Sequence, residues 1–346
     1  PANELRAAEL AREAGLPATA AHEISQLLGL RMRTRTAVIN ASMLPKMMET
    51  ANMTEESVRK AGIRAPLMIM RSDGGIMDIE QMRRRPILTM LSGPAAGVAA
   101  ALMYARITDG IFIEVGGTSS DCSAIRNGKS LVKSATVGGF QLAVRTLDVR
   151  TLGIAGGSVP RARGSKIVDV GPRSAHIAQL GYASFEPFDP AAPVEMDHVS
   201  PRGGDPRDYV RLRSGDHAFT ITPTCASNYL GLIPADAPSA GDRRRIQRGL
   251  QALADSLGVS PGEAAVQILD RSFPKVANVV EDLIEDYGLD RHLLTLSGGG
   301  GGAWSIVPYT AKKMGLPHEI APNAPMISAI GARSEEHTSE LQSHHP

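Results

Sequence analysis

Cysteine is almost missing: Cys122 and Cys225 are the only two in 346 residues, far apart in the chain and in no metal-ligand spacing. This excludes a disulfide framework and a thiolate metal cage, and it fits a reduced, cytoplasmic setting. Aromatic residues make up only 4%, too few for an aromatic-rich binding surface. Neither sign of charge dominates, with 37 Lys and Arg against 36 Asp and Glu and a formal net charge of +1. Nucleic acid is therefore not an expected partner, because binding it needs a clustered basic face. The longest basic runs, Arg83-Arg84-Arg85 and Arg243-Arg244-Arg245, read as solvated surface in loop or helix-start contexts. No apolar stretch reaches the roughly 18 to 20 residues that span a bilayer, and no signal-peptide pattern is present, so no membrane association is expected. The first residue is Pro1 rather than methionine, and the expectation is that the chain begins inside a longer protein.

What the chain has in quantity is glycine (35) and proline (23), the composition of many tight turns and backbone-lined sites. The most informative turn is Glu114-Val115-Gly116-Gly117-Thr118-Ser119-Ser120-Asp121. Ile111-Phe112-Ile113 before it and Cys122-Ser123-Ala124-Ile125 after it read as buried strands, and Asn127-Gly128 is a type I′ hairpin signal. Two glycines let backbone N–H groups approach a ligand, Thr118, Ser119 and Ser120 supply hydroxyls, and a carboxylate stands at each end. That set suits a phosphate chain carrying a metal ion. An ordinary glycine-rich hairpin with a polar tip would look the same locally.

Along the rest of the chain, residues 3–14 read as a helix stopped at Gly15, and 33–60 as an Arg- and Met-rich helix interrupted at Pro45. Met43, Met47, Met48 and Met53 are read as core filler. Pro66 to Met70 reads as a strand, and Ser92 as the N-cap of a small-residue helix with Pro94 in its first turn. A third strand is expected at Ser130 to Thr136, and a strand from Asp148 runs into a second loop, Gly156-Gly157-Ser158. Residues 159–245 hold short strand signals, at Lys166 to Val170 and Ala218 to Thr222, but read as an irregular lobe facing substrate, with Asp169, His176 and Asp197 as polar candidates. Helices follow at Arg243 to Leu257 and after the capping-box pattern Ser260-Pro261-Gly262-Glu263. A strand at Arg291 to Leu296, the glycine run Gly298 to Gly302 and a helix from Trp304 to Met314 come next. Strand, glycine turn and helix start in that order make a nucleotide-contacting element. From about Arg333 the chain resembles one reading frame of a sequencing-library adapter, the alternative being a natural polar tail, and it is set aside from the fold reading as non-native.

Taken together, Ser92-Gly93-Pro94-Ala95-Ala96-Gly97, the Gly116–Asp121 hairpin, Asp148 to Ser158 and the Ser297–Gly302 run resemble the hydantoinase A/oxoprolinase family, and also the A-type subunits of acetone and acetophenone carboxylases. The likeness extends from about Thr34 to Gly331. It implies an α/β protein with mixed sheets, in the actin-like ATPase (ribonuclease-H-like) fold, incomplete and carrying the irregular lobe. In that fold one glycine hairpin lies in each half, and the first would precede Pro1. The resemblance further implies ATP and Mg2+ as cofactors. Gly116, Gly117, Thr118, Ser119, Gly156, Gly157, Ser158, Gly298, Gly299, Gly300 and Gly301 would contact the nucleotide, with Asp121 on the magnesium side and Asp121 and Glu114 as the catalytic carboxylates. The implied reaction is opening of a cyclic amide by phosphorylation of its carbonyl oxygen, or the corresponding step on a ketone in a carboxylase, with a larger B-type subunit as partner.

The chain departs from the family pattern in four places. Glu114 stands where Asp is usual, Ser120 where Thr is usual, and Thr224-Cys225-Ala226-Ser227 where Thr-Asp-Ala-Asn is expected. The late loop is Gly-Gly-Gly-Gly-Gly-Ala-Trp without the usual His. These departures motivate a second reading, a non-catalytic nucleotide-binding or assembly subunit. A third, an NAD-binding oxidoreductase, would use Gly298, Gly300 and Ala303 with Glu319 as ribose partner. The expected division is a partial helical segment at 1–60, a ribonuclease-H-like core at 61–158, the irregular lobe at 159–245, helices with an adenosine loop at 246–332, and the tail at 333–346.

Overall fold

In a computed structural model of the protein, residues 2–25, 27–105 and 107–333 are described. The adapter-like segment beyond Arg333 lies outside the described residues. The chain is a mixed α/β protein whose residues group into two units. Of the described residues, one comprises those from Ala2 up to Met103, Ser130–Val149 and those from Ser328 to Arg333; the other comprises those within Tyr104–Lys129 and Arg150–Ile327. The boundaries thus cut across the contiguous segments expected from the sequence.

In the first unit, helices Ala2–Glu13, Leu30–Lys60 and Ser92–Ala100 accompany two antiparallel hairpins, Met68–Met70 with Ile76–Asp78 and Val132–Val137 with Phe140–Leu147. Helix Leu30–Lys60 runs through Pro45 without a break. Proline there forfeits one hydrogen bond, and packing holds the flanking turns: Met43 and Met47 lie against a core that includes Ala51, Met77, Met82, Ile87, Leu142 and Val144. Met48 and Met53 are exposed, unlike the core filler expected. Buried Asn40 satisfies its amide by donating to Thr19 Oγ1 (2.8 Å) and the Arg84 carbonyl (2.9 Å) and accepting from the Ile87 N–H (3.0 Å). Ser92 does not cap its helix; Leu91, in the left-handed region at φ 60°, takes the cap position, and Ser92 is the first helical residue.

The second unit is built on a mixed sheet in the order His318–Ile320, Thr295–Gly299, Gly110–Val115, Ser120–Arg126, with Val149–Leu152 also pairing with Ser120–Arg126. Gly110–Val115 pairs antiparallel with Ser120–Arg126 and parallel with Thr295–Gly299, which pairs parallel with His318–Ile320. This order, an antiparallel hairpin flanked by parallel strands, is the ribonuclease-H-like arrangement of one half of an actin-like ATPase. Ile111, Phe112, Ile113 and Val115 are all buried, so both faces of the central strand are covered, as expected where helices lie over parallel strands. Asn127 (φ 52°) and Gly128 (φ 66°) adopt the positive φ values that a type I′ turn requires.

Residues 159–245, expected to be irregular, carry a second sheet in the order Lys166–Ser174, Ser158–Arg163, Tyr209–Ser214, His217–Thr220, Gly181–Tyr182, with Glu195–Val199 also on Tyr209–Ser214. These strands bury Val159, Ile167, Val170, Val210, Leu212 and Phe219, and ion pairs join them as well. Arg161 and Arg163 converge on buried Asp208, Arg173 grips Asp205 with two bonds of 2.8 Å, and Arg211 pairs with Asp197. Asp169 is held by Lys275 at 2.6 Å. Single charges scattered through short strands therefore read as loop in the sequence while serving as cross-strand partners in the fold. Helix Arg243–Leu257 turns Ile246, Leu250, Leu253 and Leu257 inward at three- and four-residue intervals. Helix Pro261–Tyr287 starts with the expected capping box: Ser260 Oγ accepts from the Glu263 N–H at 3.2 Å while Glu263 Oε2 accepts from the Ser260 N–H at 2.8 Å.

Candidate functional site

The hairpin strands keep their ladder as far as the pair Val115–Ser120, so residues 116–119 alone form the tip. The Gly116 N–H donates to the Ser119 carbonyl at 3.0 Å, which closes the tip and leaves Gly116, Gly117 and Thr118 exposed. Glu114 and Asp121 are cross-strand partners one rung below Val115 and Ser120. Alternation puts the two carboxylates on the same face of the hairpin, within the short distance that separates opposed residues on an antiparallel pair. On its other side Glu114 is in register with Gly299. Burial holds the carboxyl of Asp121 above the usual aspartate range, opposed by a hydrogen bond from the Thr151 hydroxyl to Oδ1.

Two further glycine segments are fastened to this tip. The Gly156 N–H donates to the Gly116 carbonyl at 3.2 Å, and the Gly302 N–H donates to the Val115 carbonyl at 2.8 Å. Gly156, Gly157 and Ser158 are buried. The Gly156 carbonyl accepts from the N–H and hydroxyl of Thr224 at 3.0 and 2.8 Å, the Gly157 carbonyl from the Ala175 N–H at 2.8 Å, and Ser158 Oγ from the Ala155 N–H at 2.9 Å. A Cβ on Gly157 would lie 1.8 Å from Tyr182 Oη and 2.5 Å from the Gly117 carbonyl oxygen, so only glycine fits.

In the glycine run, Gly298 and Gly299 belong to the buried strand, Gly300 adopts φ 81° against the Val115 carbonyl, and Gly301 is exposed with open space around it. Helix Ala303–Met314 begins directly afterwards. The Thr224–Ser227 segment lies on the short helix Pro223–Tyr229 and is buried. Its Thr224 Oγ1 is 2.7 Å from Ser305 Oγ, and Ser227 Oγ donates to the Ser305 carbonyl at 2.8 Å. The polar side chains of this segment thus tie the helix that follows the glycine run to the Gly156 loop.

Of the residues singled out in the sequence, the hairpin, the Gly156–Ser158 loop and the glycine run come together in one place. Asp169 and Asp197 are engaged in the ion pairs of the second sheet, and His176 is exposed in the turn after Ser174. Glu319 accepts from Ser297 Oγ at 2.8 Å, which occupies the carboxylate proposed as a ribose partner. Sequence reasoning missed Thr151, Ser174 and Tyr182. Thr118 Oγ1 lies 3.1 Å from Ser174 Oγ, and neither Ser174 nor Tyr182 sits in a pattern that marks it. Among the described residues no group of three His, Cys, Asp or Glu side chains is placed to hold a metal ion, and no helix is long and apolar enough to cross a membrane.

Comparison with known proteins bears on the same architecture. The chain is 26% identical over 335 residues to the caprolactamase subunit alpha of Pseudomonas jessenii, covering 93% of this chain and 44% of that protein. It is 28% identical over 193 residues to the acetophenone carboxylase gamma subunit of Aromatoleum aromaticum, covering 51% of this chain and 25% of that protein. The crystal structure of the ATP-dependent caprolactamase from Pseudomonas jessenii superposes with a TM-score of 0.69 at 25% identity, over 96% of this chain and 45% of that one. The chain therefore spans less than half the length of these relatives. A sequence profile described as Hydantoinase/oxoprolinase matches residues 33–335, which takes in the hairpin, both glycine loops and both sheets of the second unit, and the chain belongs to that family.

Proposed function

We propose that this chain is the nucleotide-handling part of an ATP-dependent enzyme that opens a cyclic amide by phosphorylating its carbonyl oxygen. The observation that carries the reading is the placement of Glu114 and Asp121 opposite one another beneath an exposed glycine tip. The donor set fits magnesium held mainly by water and phosphate. That ion keeps several of its waters and takes one or two carboxylates, and two are present here, with no group of three such ligands among the described residues.

Asp121 and Glu114 would hold the magnesium side, with the exposed amides of Gly117 and Thr118 and the Thr118 and Ser119 hydroxyls on the phosphates. Exposed Gly301, at the start of helix Ala303–Met314, suits the adenosine side. The buried residues Gly156, Gly157, Ser158, Gly298, Gly299 and Gly300 would act by fixing the position of the tip and of the glycine run, through the backbone bonds to Gly116 and Val115. Bound Mg-ATP supplies the phosphoryl group that turns a resonance-stabilised amide oxygen into a leaving group. The chain's part is to fix the phosphates in line and keep the hairpin rigid while charge moves. Likeness to a caprolactamase favours a lactam or related cyclic amide as substrate. Likeness to an acetophenone carboxylase subunit keeps the A-type role in a ketone carboxylase as the alternative substrate class. Both relatives are subunits by name, which supports a B-type partner, and the reading implies a cytoplasmic enzyme.

Thr224 and Ser227 in structural hydrogen bonds, together with Glu114 in place of Asp, favour a second reading in which nucleotide is bound without turnover. Isothermal titration of Mg-ATP into the full-length protein tests the main reading. Binding that Asp121→Ala abolishes is expected, and no binding by the unmodified protein overturns it. Turnover that disappears in Asp121→Ala while partner binding persists excludes the second reading.

A further inference from the structure

Tyr182 ends the short strand Gly181–Tyr182, which pairs parallel with His217–Thr220. Its ring lies beside Phe185, with centroids 5.9 Å apart. Its hydroxyl reaches into the tip of the hairpin, 3.3 Å from where a Cβ of Gly117 would stand and 1.8 Å from that of Gly157. Two glycines from different loops thus leave the space that one phenol oxygen occupies. The approach is braced by the segment leading to Tyr182: Ser174 Oγ lies 3.1 Å from Thr118 Oγ1, and the Ala175 N–H donates to the Gly157 carbonyl at 2.8 Å.

Such close seating ordinarily accompanies a hydrogen bond from the hydroxyl to protein. Among the described residues none is made to Tyr182 Oη. Tyr182 is only partly buried, and its hydroxyl stands beside exposed Gly117 of the tip. Burial pushes the phenol up to about 12, so at neutral pH it is an O–H donor. A donor set beside exposed backbone amides matches an acceptor-rich anion.

We propose that Tyr182 is a further binding residue of the glycine-tip site, its hydroxyl donating to a phosphate oxygen of the nucleotide held there. This rests on the nucleotide reading above. It makes the second sheet part of the phosphate site, since Tyr182 and Ser174 both come from that sheet.

Tyr182→Phe removes only the oxygen and keeps the ring between the two glycine loops. Mg-ATP and, separately, adenosine are titrated into the full-length protein and the variant. The expected result is Mg-ATP affinity weakened about tenfold, as for loss of one hydrogen bond to a charged group, with adenosine affinity unchanged. Mg-ATP affinity within twofold of the unmodified protein overturns the proposal and leaves Tyr182 as packing. Equal weakening of adenosine and Mg-ATP also overturns it, because general loosening of the site affects both. Absence of Mg-ATP binding by the unmodified protein overturns the nucleotide reading itself, and this proposal with it.

Discussion

Replacing Gly157 with alanine adds one methyl group at the point where three segments meet. Its carbon would stand 1.8 Å from Tyr182 Oη, 2.7 Å from Tyr182 Cζ and 2.5 Å from the Gly117 carbonyl oxygen. A side-chain rotation of Tyr182 relieves the first two contacts and leaves the third, which is backbone. The hairpin tip and the Gly156–Ser158 loop must then separate, straining the bonds from the Gly156 N–H to the Gly116 carbonyl and from the Ala175 N–H to the Gly157 carbonyl. Overpacking of a well-packed site costs about 1–3 kcal/mol, and a backbone wall argues for the upper end, about 3 kcal/mol. For a unit of this size that corresponds to a fall in Tm of about 6–12 °C. Trp304, the only tryptophan, lies in the same unit on the helix that follows the glycine run, and its fluorescence in a urea titration reads the change directly. Adding Tyr182→Ala should recover part of the loss, with a coupling of at least about 0.5 kcal/mol in a double-mutant cycle. A Gly157→Ala protein within about 0.5 kcal/mol of the unmodified one, or with no coupling to Tyr182, would refute the close approach on which both the site and the role of Tyr182 depend.

Two other outcomes are open to measurement. Because burial raises the carboxyl of Asp121 in the folded state, the native protein binds that proton more tightly than the unfolded chain. The associated stability is present below the ordinary value of about 3.9 and is lost as pH rises through the raised value. Asp121→Asn should therefore gain stability relative to the unmodified protein on going from acid to neutral pH in urea titrations, even as it loses nucleotide binding. A relative gain in the opposite direction would refute the assignment. Burial, with the charge of neighbouring Asp121, pushes the Cys122 thiol up to about 12, and Cys225 is likewise buried, with Ser184 Oγ 3.1 Å from its sulfur. Neither thiol should react with Ellman's reagent at pH 8 until urea unfolds the protein, and fast labelling of the native chain would contradict this burial.

How far the fold was legible depends on how local its causes are. The buried strand around Phe112, the turn at Asn127-Gly128 and the capping box at Ser260 each declare themselves within a few residues, and the structure has each of them. The strand expected at Ser130 to Thr136 is present as Val132–Val137, but its partner Phe140–Leu147 and the turn between them, equally local, have no counterpart in the sequence reading. Gly138 and Gly139, at φ 57° and 81°, form the two-residue turn between the two strands. The second sheet was legible only in part. The strand signals at Lys166 to Val170 and Ala218 to Thr222 correspond to strands Lys166–Ser174 and His217–Thr220, but the rest of the sheet includes charge pairs between residues far apart, such as Arg161 with Asp208 and Arg173 with Asp205, and each charge taken alone resembles solvated loop. The same holds for Thr224 and Ser305, whose hydroxyls meet across 81 residues of chain.

The site adds a distinction that no glycine pattern contains. Gly116-Gly117, Gly156-Gly157 and Gly298 to Gly302 look alike as sequence, and all three are expected there to contact the nucleotide, the last as the adenosine loop. In the fold their physical roles diverge. Gly117 and Gly301 are exposed, and the missing side chain leaves their backbone accessible, whereas Gly116, exposed as well, spends its N–H on the Ser119 carbonyl and its carbonyl on the Gly156 N–H. Gly156, Gly157 and Gly300 are buried, and the missing side chain lets one backbone or hydroxyl press on another: Thr224 on Gly156, Tyr182 on Gly157, the Val115 carbonyl on Gly300. The two kinds call for different consequences of substitution. A methyl group on exposed Gly301, which has open space around it, should alter ligand binding and spare stability, whereas one on Gly157 should lower stability first and binding only through it. Glycine density locates the neighbourhood of the candidate site, but it is what each absent Cβ would have touched that separates accessible backbone from the scaffold that holds it still.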